Sequence, residues 1–286
     1  MSFITLTTDF GTKDHFVGAV KGAIYTELAD AKIVDITHQI TPFNITETAY
    51  ILKNAYKSFP EGTIHIIGVD SELSTDNKHI AIALDNHYFV CPDNGIISMI
   101  ASEIQPTKIV EINIHDRVES SFPVLDVFVQ VACFIARGGN LTVIGKEIRN
   151  YKKLTEIQPK VNQAQTQIIG GVLYIDNYGN VISNISRKMF NEIGKGRPFK
   201  INASSYTFDK IYNKYNEIVE NNTKTSRQFD GNKLTLFNSA GLLEIAIYKS
   251  DLTSVGGAST LLGLAYRDAI IIEFFNEYKP EFTPLT

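Results

Sequence analysis

The feature that most constrains the fold is an alternation, from residue 1 to about residue 145, of apolar β-branched runs with segments whose apolar residues recur at helical spacing. Such alternation is typical of βαβ units, in which crossover helices join parallel strands. The predicted strands are 2–8, 32–37, 63–69, 79–84, 87–91 and 108–113. The predicted helices are 14–28, 44–58 and 124–137, with Asp14 and Asn44 as the N-caps of the first two. We therefore expect an α/β domain with a mostly parallel sheet over residues 1–155.

The pattern changes after a polar stretch that begins near residue 147, and we interpret residues 156–166 as a linker between two domains. Beyond it, short strands are separated by Gly, Asn and Asp, which is typical of an antiparallel β-domain. These strands are predicted at 167–176, 180–185, 198–202, 233–237, 241–249 and 269–275. Residues 211–232 are rich in Asn and Lys and are expected to form an exposed excursion. The second domain is therefore expected to span residues 167–286.

Composition excludes several classes of protein. With 286 residues, of which 44% are apolar and 20% charged, the chain has the make-up of a soluble globular protein of two domains. No apolar run approaches the roughly 18 residues of a membrane-spanning helix. The net charge is −4, and Lys and Arg are scattered, so we expect no nucleic-acid partner. Cys91 and Cys133 lie in apolar runs, which favours buried thiols in a reducing compartment; with no apparent signal peptide, we expect a cytoplasmic protein.

The common catalytic motifs are missing from the sequence. The six His residues show no close pairing with carboxylates at metal-ligand spacing, so we expect no metal site. The chain also lacks the glycine motifs of dinucleotide and nucleoside-triphosphate sites and the Gly-x-Ser-x-Gly motif of serine hydrolases. Any site must therefore be built from less familiar residue patterns.

Two carboxylates close predicted strands of the first domain. Asp9 follows the first strand and Asp70 follows the third. Ligands of α/β proteins bind outside the carboxyl ends of the strands, where an acid is suited to the two hydroxyls of a ribose. A helix cap or Asx-turn explains Asp9 equally well when that residue is taken alone.

Two polar segments of the second domain are further candidates. Asp176–Asn180 lies between two predicted strands, and a plain hairpin turn is the simpler explanation of it. Asn238–Glu244 precedes and enters an apolar strand, and a loop explains its polar residues. Neither segment indicates a site by its residue types alone.

Six segments of the chain, taken together and in order, resemble the S-adenosylmethionine (SAM) hydroxide adenosyltransferase family, which is related to fluorinase and chlorinase. These segments are Thr8-Asp9-Phe10-Gly11, Val34–His38 with Thr41-Pro42-Phe43, Phe59–Thr63, Cys91–Gly95, Asp176–Asn180 and Asn238–Ala246. The resemblance covers nearly the whole chain. It implies an α/β domain followed by a β-barrel-like domain, and a homotrimer whose sites lie between the first domain of one subunit and the second domain of the next.

The resemblance also implies roles for single residues of the first domain and for one aromatic residue of the second. Asp9 matches the carboxylate that holds the ribose hydroxyls, and Phe43 matches an aromatic residue that packs on the ligand. Phe122 and Phe237 match aromatic positions around the ribose and adenine. These types suit the ligand, because acids attract its cationic groups and aromatic rings pack on its purine.

The remaining matches lie in the second domain. Asp176 resembles the acid that meets the methionine amine, Tyr178 an aromatic residue that stacks on adenine, and Asn180 the amide that binds adenine. Ser239 and the backbone near Ala258 are further binding positions that the resemblance implies.

The chain departs from the family pattern at the catalytic positions. Hydrolases of the family activate water with an Asp, an Arg seven residues later and a His; here the Asp is Asp70, but the other two positions read Asn77 and Pro123. Acid–base help is worth about 10²–10⁴ in rate, so losing it predicts slow turnover. Lys78 or His79 could replace the lost groups, although neighbouring residues of a strand point to opposite faces.

We therefore expect a SAM hydrolase that forms adenosine and methionine, with Asp70 as its catalytic residue and no cofactor beyond the substrate. A non-catalytic SAM- or adenosine-binding protein and a scaffold with a degraded pocket are the alternatives. Halogenation is the least expected chemistry. A carboxylate at position 70 and a halide about 4 Å away would repel each other by about 4 kcal/mol at an effective dielectric near 20.

Overall fold

The computed structural model describes residues 2–101, 104–114, 120–154, 157–219 and 226–275. The chain forms two compact units, Met1–Glu156 and Ile157–Thr286. In the described residues, no helix is both long and apolar enough to cross a membrane.

The first unit is built on a seven-stranded sheet in the order β2-β1-β3-β5-β4-β6-β7. Its strands are β1 (Phe3–Thr8), β2 (Lys32–Thr37), β3 (Ile64–Gly68), β4 (His79–Leu84), β5 (His87–Pro92), β6 (Lys108–Ile112) and β7 (Gly145–Glu147). Three neighbouring pairs are parallel and three are antiparallel. The sheet is therefore mixed: the predicted α/β class is confirmed, but the expectation of mostly parallel pairing holds only for β1, β2, β3 and β5. The tight β4–β5 hairpin reverses the chain direction and causes the difference.

Four helices cover the two faces of this sheet. They are α1 (Phe16–Glu27), α2 (Ile45–Ala55), α3 (Ile96–Ile100) and α4 (Val129–Ala136), the last preceded by a π-helical segment, Val124–Phe128. Apolar residues of α1 and α4 pack with one face, and those of α2 and α3 pack with the other. This three-layer arrangement leaves the strand ends open to ligands.

The two predicted helix caps have different outcomes. Asn44 caps α2, since its side chain accepts a hydrogen bond from the backbone N–H of Glu47, as predicted. The predicted cap at Asp14 is wrong, because α1 begins at Phe16 and His15 occupies the cap position without a side-chain bond.

The second unit is an eight-stranded antiparallel sheet with a barrel-like curl, so the predicted fold class is also confirmed here. Its strands are β8 (Lys160–Val161), β9 (Gln167–Ile175), β10 (Val181–Ser186), β11 (Phe199–Ala203), β12 (Tyr206–Phe208), β13 (Lys233–Phe237), β14 (Leu242–Ile247) and β15 (Ala269–Phe274). The end strands β12 and β13 approach each other where the Lys233 ammonium lies 4.5 Å from the centre of the Tyr206 ring. Such a cation–π contact stabilises the seam of a nearly closed sheet.

In the part of the second unit that the structure describes, two short α-helices occur that the sequence did not predict. They are α5 (Arg187–Gly194), capped by the Ser186 side chain, and α6 (Ala258–Leu261). Part of the segment interpreted as a linker also carries structure, since β8 pairs with β9. Of the predicted excursion at 211–232, the described part includes a short helical turn at Tyr215–Ile218, and residues 220–225 lie outside the described residues.

Candidate functional site

The first unit brings two acids to one edge of its sheet. Strands β1 and β3 are parallel neighbours in which Thr8 pairs with Gly68, and Asp9 and Asp70 follow these residues. The chain leaves β1 toward β2 on one side and returns from β2 to β3 on the other, so this edge is a topological switch point. Ligands of open α/β sheets bind at such points.

Asp9 is tied to Phe43 by a hydrogen bond. The backbone N–H of Phe43 donates to Asp9 Oδ2 at 3.0 Å. Phe43 has a left-handed φ of 62°, which is uncommon for an aromatic residue, and its side chain is 71% exposed. A carboxylate and an uncovered aromatic ring are therefore held at the same corner, as a ribose and a purine would require.

The loop after β3 is held together by the Asn77 side chain. Its Nδ2 donates to the carbonyl of Asp70 at 2.8 Å and to the carbonyl of Glu72 at 3.0 Å. Asp70 itself has a left-handed φ of 49°. Among the described residues, the Asn77 Oδ1 atom is buried with no hydrogen-bond partner. The amide thus fixes the loop backbone and leaves an acceptor unsatisfied within it.

Two more side chains bind the backbone of this loop. Asn94 donates to the carbonyl of Val69 at 3.1 Å, and a ring nitrogen of His79 lies 2.8 Å from the carbonyl of Ser71. His79 is fully buried, edge-on to the ring of Phe128. The buried His79 side chain therefore stabilises the backbone of this loop.

An aromatic cluster lies beside the two acids. The rings of Phe10, Phe16 and Phe122 contact each other with centroids 5.4–5.9 Å apart. Gly68 allows this packing, because a Cβ there would lie 2.9 Å from the Val124 side chain and 3.2 Å from that of Phe10. Phe122 thus lies close to the end of β1, where Asp9 follows the strand.

Pro123 opens the helical segment that follows Phe122. The Ser120 hydroxyl accepts from the backbone N–H of Phe122 at 3.0 Å and donates to Asp126 at 2.7 Å. A proline is well tolerated in the first turn of a helix, where its missing N–H would have no partner. The π-helical turn that begins at Val124 is of a kind frequent at functional sites.

The second unit carries a tightly bonded loop between β9 and β10. Asp176 accepts hydrogen bonds at 2.9 Å from the backbone N–H groups of Tyr178 and Asn180 and from the Asn180 side chain. Tyr178 is 63% exposed, whereas Asn180 is buried. The turn expected from the sequence is present. It brings together the Asp176 carboxylate, the Asn180 amide and the exposed Tyr178 ring.

Helix α6 packs against this loop. The backbone N–H of Ser259 donates to the carbonyl of Gly179 at 2.9 Å, and Ala258 is fully buried. A Cβ on Gly179, which has a φ of 76°, would lie 2.9 Å from the Cα of Gly257, so only glycine fits. Ala258 therefore lies beside the Asp176 loop.

Phe237 lies in the core of the second unit. Phe237 is buried among core residues, with its ring 5.5 Å from that of Phe190 and 5.1 Å from the Arg187 guanidinium. Its neighbour Leu236 belongs to a separate small cluster on the other face of β13. Ser239 is exposed in the turn before β14.

Sequence reasoning assigned no role to Glu244, the lone acid in the apolar strand β14. It is buried and accepts a hydrogen bond from the Tyr215 hydroxyl. Burial raises the pKa of the Glu244 carboxyl and the nearby Asp176 charge raises it further, against the effect of hydrogen bonds from Tyr215 and Asn238. An acid inside an otherwise apolar strand was the signal that could have found it.

Sequence reasoning also assigned no role to His38, which follows β2. Its Nδ1 lies 2.7 Å from the Thr8 hydroxyl, and its Nε2 lies 3.2 Å from Asp35. Burial alone would raise the pKa of Asp35, but its interactions with Lys21 and His38 outweigh burial and lower it. In the described ranges, no three His, Cys, Asp or Glu side chains are grouped so as to hold a metal ion.

Comparisons with known proteins match nearly the whole length of the chain. Residues 4–145 match the model of the SAM hydroxide adenosyltransferase N-terminal domain, and residues 170–271 match that of the C-terminal domain. The chain is 32% identical over 280 residues to a protein of Methanocaldococcus jannaschii named (R)-S-adenosyl-L-methionine hydrolase, covering 95% of this chain and 96% of that one. A fluorinase of Actinopolyspora mzabensis is 22% identical, over 68% of this chain and 74% of its own. A crystal structure of an uncharacterized conserved protein from Thermotoga maritima superposes with a TM-score of 0.78 at 29% identity, over 95% of this chain and 99% of that one.

Proposed function

The chain belongs to the SAM hydroxide adenosyltransferase family, and from this premise we propose that it hydrolyses SAM to adenosine and methionine. Water or hydroxide attacks the 5′ carbon and forms the new C–O bond. The C–S bond breaks, its electron pair returns to sulfur, methionine leaves and one proton is released. The observation that carries the proposal is the pair of strand-end carboxylates, Asp9 and Asp70, at the switch point of the sheet.

We assign separate tasks to the two acids. Asp9, fixed by the Phe43 N–H, binds the ribose hydroxyls, and the Phe43 ring packs on the ligand. Asp70 is the catalytic residue that orients the attacking water and accepts its proton. The hydrogen bond that Asn77 donates to Asp70 ends on the backbone carbonyl and therefore does not occupy the carboxylate oxygens that we propose for water.

The second unit supplies the contacts to the rest of the substrate. Asp176 meets the methionine ammonium, Tyr178 stacks on the adenine, and Asn180 binds its edge; the family resemblance and the compact 176–180 loop support these roles. Phe122, Phe237, Ser239 and Ala258 complete the set that we propose from the resemblance. We also propose a homotrimer with sites shared between subunits, a cytoplasmic location and no cofactor.

A second candidate function is SAM or adenosine binding without turnover. The resemblance matches Asn77 to the family's Arg and Pro123 to its His, and the Asn77 side chain is engaged with the loop backbone. If these matches hold, both changes remove groups that would help Asp70. Halide attack is disfavoured, because the Asp70 carboxylate repels an anion and the fluorinase relatives are the more distant ones.

The test is incubation of the purified protein with each sulfonium epimer of SAM, following adenosine and methionine by chromatography and binding by calorimetry. We expect equimolar adenosine and methionine, with the (R) epimer preferred, since a full-length relative is named for that epimer. Tight binding without products would support the second candidate. No binding of either epimer would overturn both.

A further inference from the structure

His38 joins the two loops that leave β1 and β2. Its Nδ1 lies 2.7 Å from Thr8 Oγ1, and its carbonyl accepts from the backbone N–H of Gly11 at 2.7 Å. Asp9 lies between Thr8 and Gly11, and its carboxylate accepts the Phe43 N–H from the same second loop. Each of these three hydrogen bonds therefore joins the segment around Asp9 to the segment that follows β2.

Charged side chains lie behind His38. Its Nε2 lies 3.2 Å from Asp35 Oδ1 but is not aligned for a hydrogen bond, so the buried Nε2 has no hydrogen-bond partner among the described residues. Asp35 Oδ2 lies 2.5 Å from the Lys21 ammonium. A carboxylate beside Nε2 favours the tautomer with its proton on that nitrogen, so Nδ1 accepts and the Thr8 hydroxyl donates. Thr8 and His38 are both buried, so this bond is shielded from competing water.

We propose that His38 is a positioning residue for the ligand site: through Thr8 it fixes the end of β1 and so sets the direction in which Asp9 presents its carboxylate. The substrate effect rests on the proposed function, because it needs a ribose at Asp9. Since Asp70 lies on a different loop, loss of the Thr8–His38 bond weakens substrate binding more than it slows the chemical step.

The chain offers a matched control on the same strand. Thr5 Oγ1 lies 2.7 Å from Nδ1 of the buried His65, the same length as the bond between Thr8 and His38. Thr8→Val and Thr5→Val each remove a buried hydroxyl from an imidazole, so both lower the melting temperature. We expect only Thr8→Val to raise the Kd and KM for SAM, about tenfold, with kcat changed less than about threefold.

Variants of His38 show which ring nitrogen matters. Asn carries its amide near the position of Nδ1, whereas Gln extends to the position of Nε2. We expect His38→Asn to keep a Kd within about threefold of the wild type and His38→Gln to match Thr8→Val. Equal binding by Thr8→Val and the wild type, or equal weakening by Thr5→Val and Thr8→Val, would overturn the positioning role.

Hydrogen exchange tests the same inference without substrate. The Phe43 amide, which donates to Asp9, should exchange about tenfold faster in Thr8→Val than in Thr5→Val. Unchanged protection of Phe43 in Thr8→Val would overturn the inference even if the wild type bound no SAM. Faster Phe43 exchange in a protein that does not bind SAM would leave the positioning role standing and overturn the proposed function alone.

Discussion

The loops after β1 and β3 leave the same edge of the sheet but are stabilised in different ways. In the first loop a hydrogen bond ends on the carboxylate itself, from the Phe43 N–H to Asp9. In the second, the bonds from Asn77, Asn94 and His79 end on backbone carbonyls. The first arrangement orients a carboxylate, which suits the binding role proposed for Asp9, whereas the second fixes the path of the chain, which is compatible with the catalytic role proposed for the Asp70 carboxylate.

The largest expected effect comes from Asp70→Asn. We expect kcat to fall by about 10²–10⁴ while the Kd for SAM stays within a few-fold, because the amide keeps the shape but loses the base. Chromatography of adenosine and calorimetry measure the two quantities. Asp30→Asn, a change at an exposed residue outside both loops, serves as the control. A parallel loss of binding would show that the two loops do not divide these tasks.

The next effect is on the other loop, where Asp9→Asn should raise the Kd by about 10–100-fold. The amide cannot replace the charge that holds two hydroxyls, but the Phe43 N–H still finds an oxygen. At saturating SAM we expect kcat to approach that of the wild type. An unchanged Kd would show that Asp9 only caps its turn.

A smaller effect is expected at Asn77, whose side chain bridges two carbonyls of the loop after β3. Asn77→Asp exchanges the donating amide for an acid that faces the carbonyls of Asp70 and Glu72. We expect about a tenfold loss of kcat and a lower melting temperature, as the two carbonyls lose their shared donor. Asn86→Asp, at the exposed hairpin between β4 and β5, is the matched control. Faster turnover in Asn77→Asp would reveal a second base.

The smallest effect near neutral pH is expected on the free energy of unfolding, through His65 in β3, the strand that precedes the Asp70 loop. Burial and the neighbouring His87 lower the pKa of His65 to about 3, below the ordinary 6.5. The native state then binds fewer protons than the unfolded state, so this contribution to stability is complete above about pH 6.5 and is lost as the pH falls toward 3. Denaturant titrations should lose up to about 1.4 kcal/mol per pH unit in that window, and His65→Asn should flatten the slope. The same slope in the variant would assign the acid sensitivity to other groups.

The longer strands, the order of an α/β unit before a β unit, and the Asn44 cap could be predicted because each depends on neighbours in sequence. The short strands β7, β8 and β12 were missed, since two or three residues carry no alternation. Helix α5 was missed because it is short, although its Ser186 cap was visible. The contact of Thr8 with His38 was not predictable, since it depends on how β1 and β2 lie side by side. The face of β13 on which the Phe237 side chain lies could not be predicted either. Alternation along the strand separates two faces but does not show which of them faces the core.

Phe43 has a consequence for selection experiments. A left-handed backbone costs a non-glycine residue about 1–2 kcal/mol, and this ring is mostly exposed, so it recovers little of that cost by packing. A library randomised at this position should therefore yield glycine when it is sorted for heat resistance and aromatic residues when it is sorted for nucleoside capture. The identity of the winning residue would report which pressure has kept a phenylalanine there.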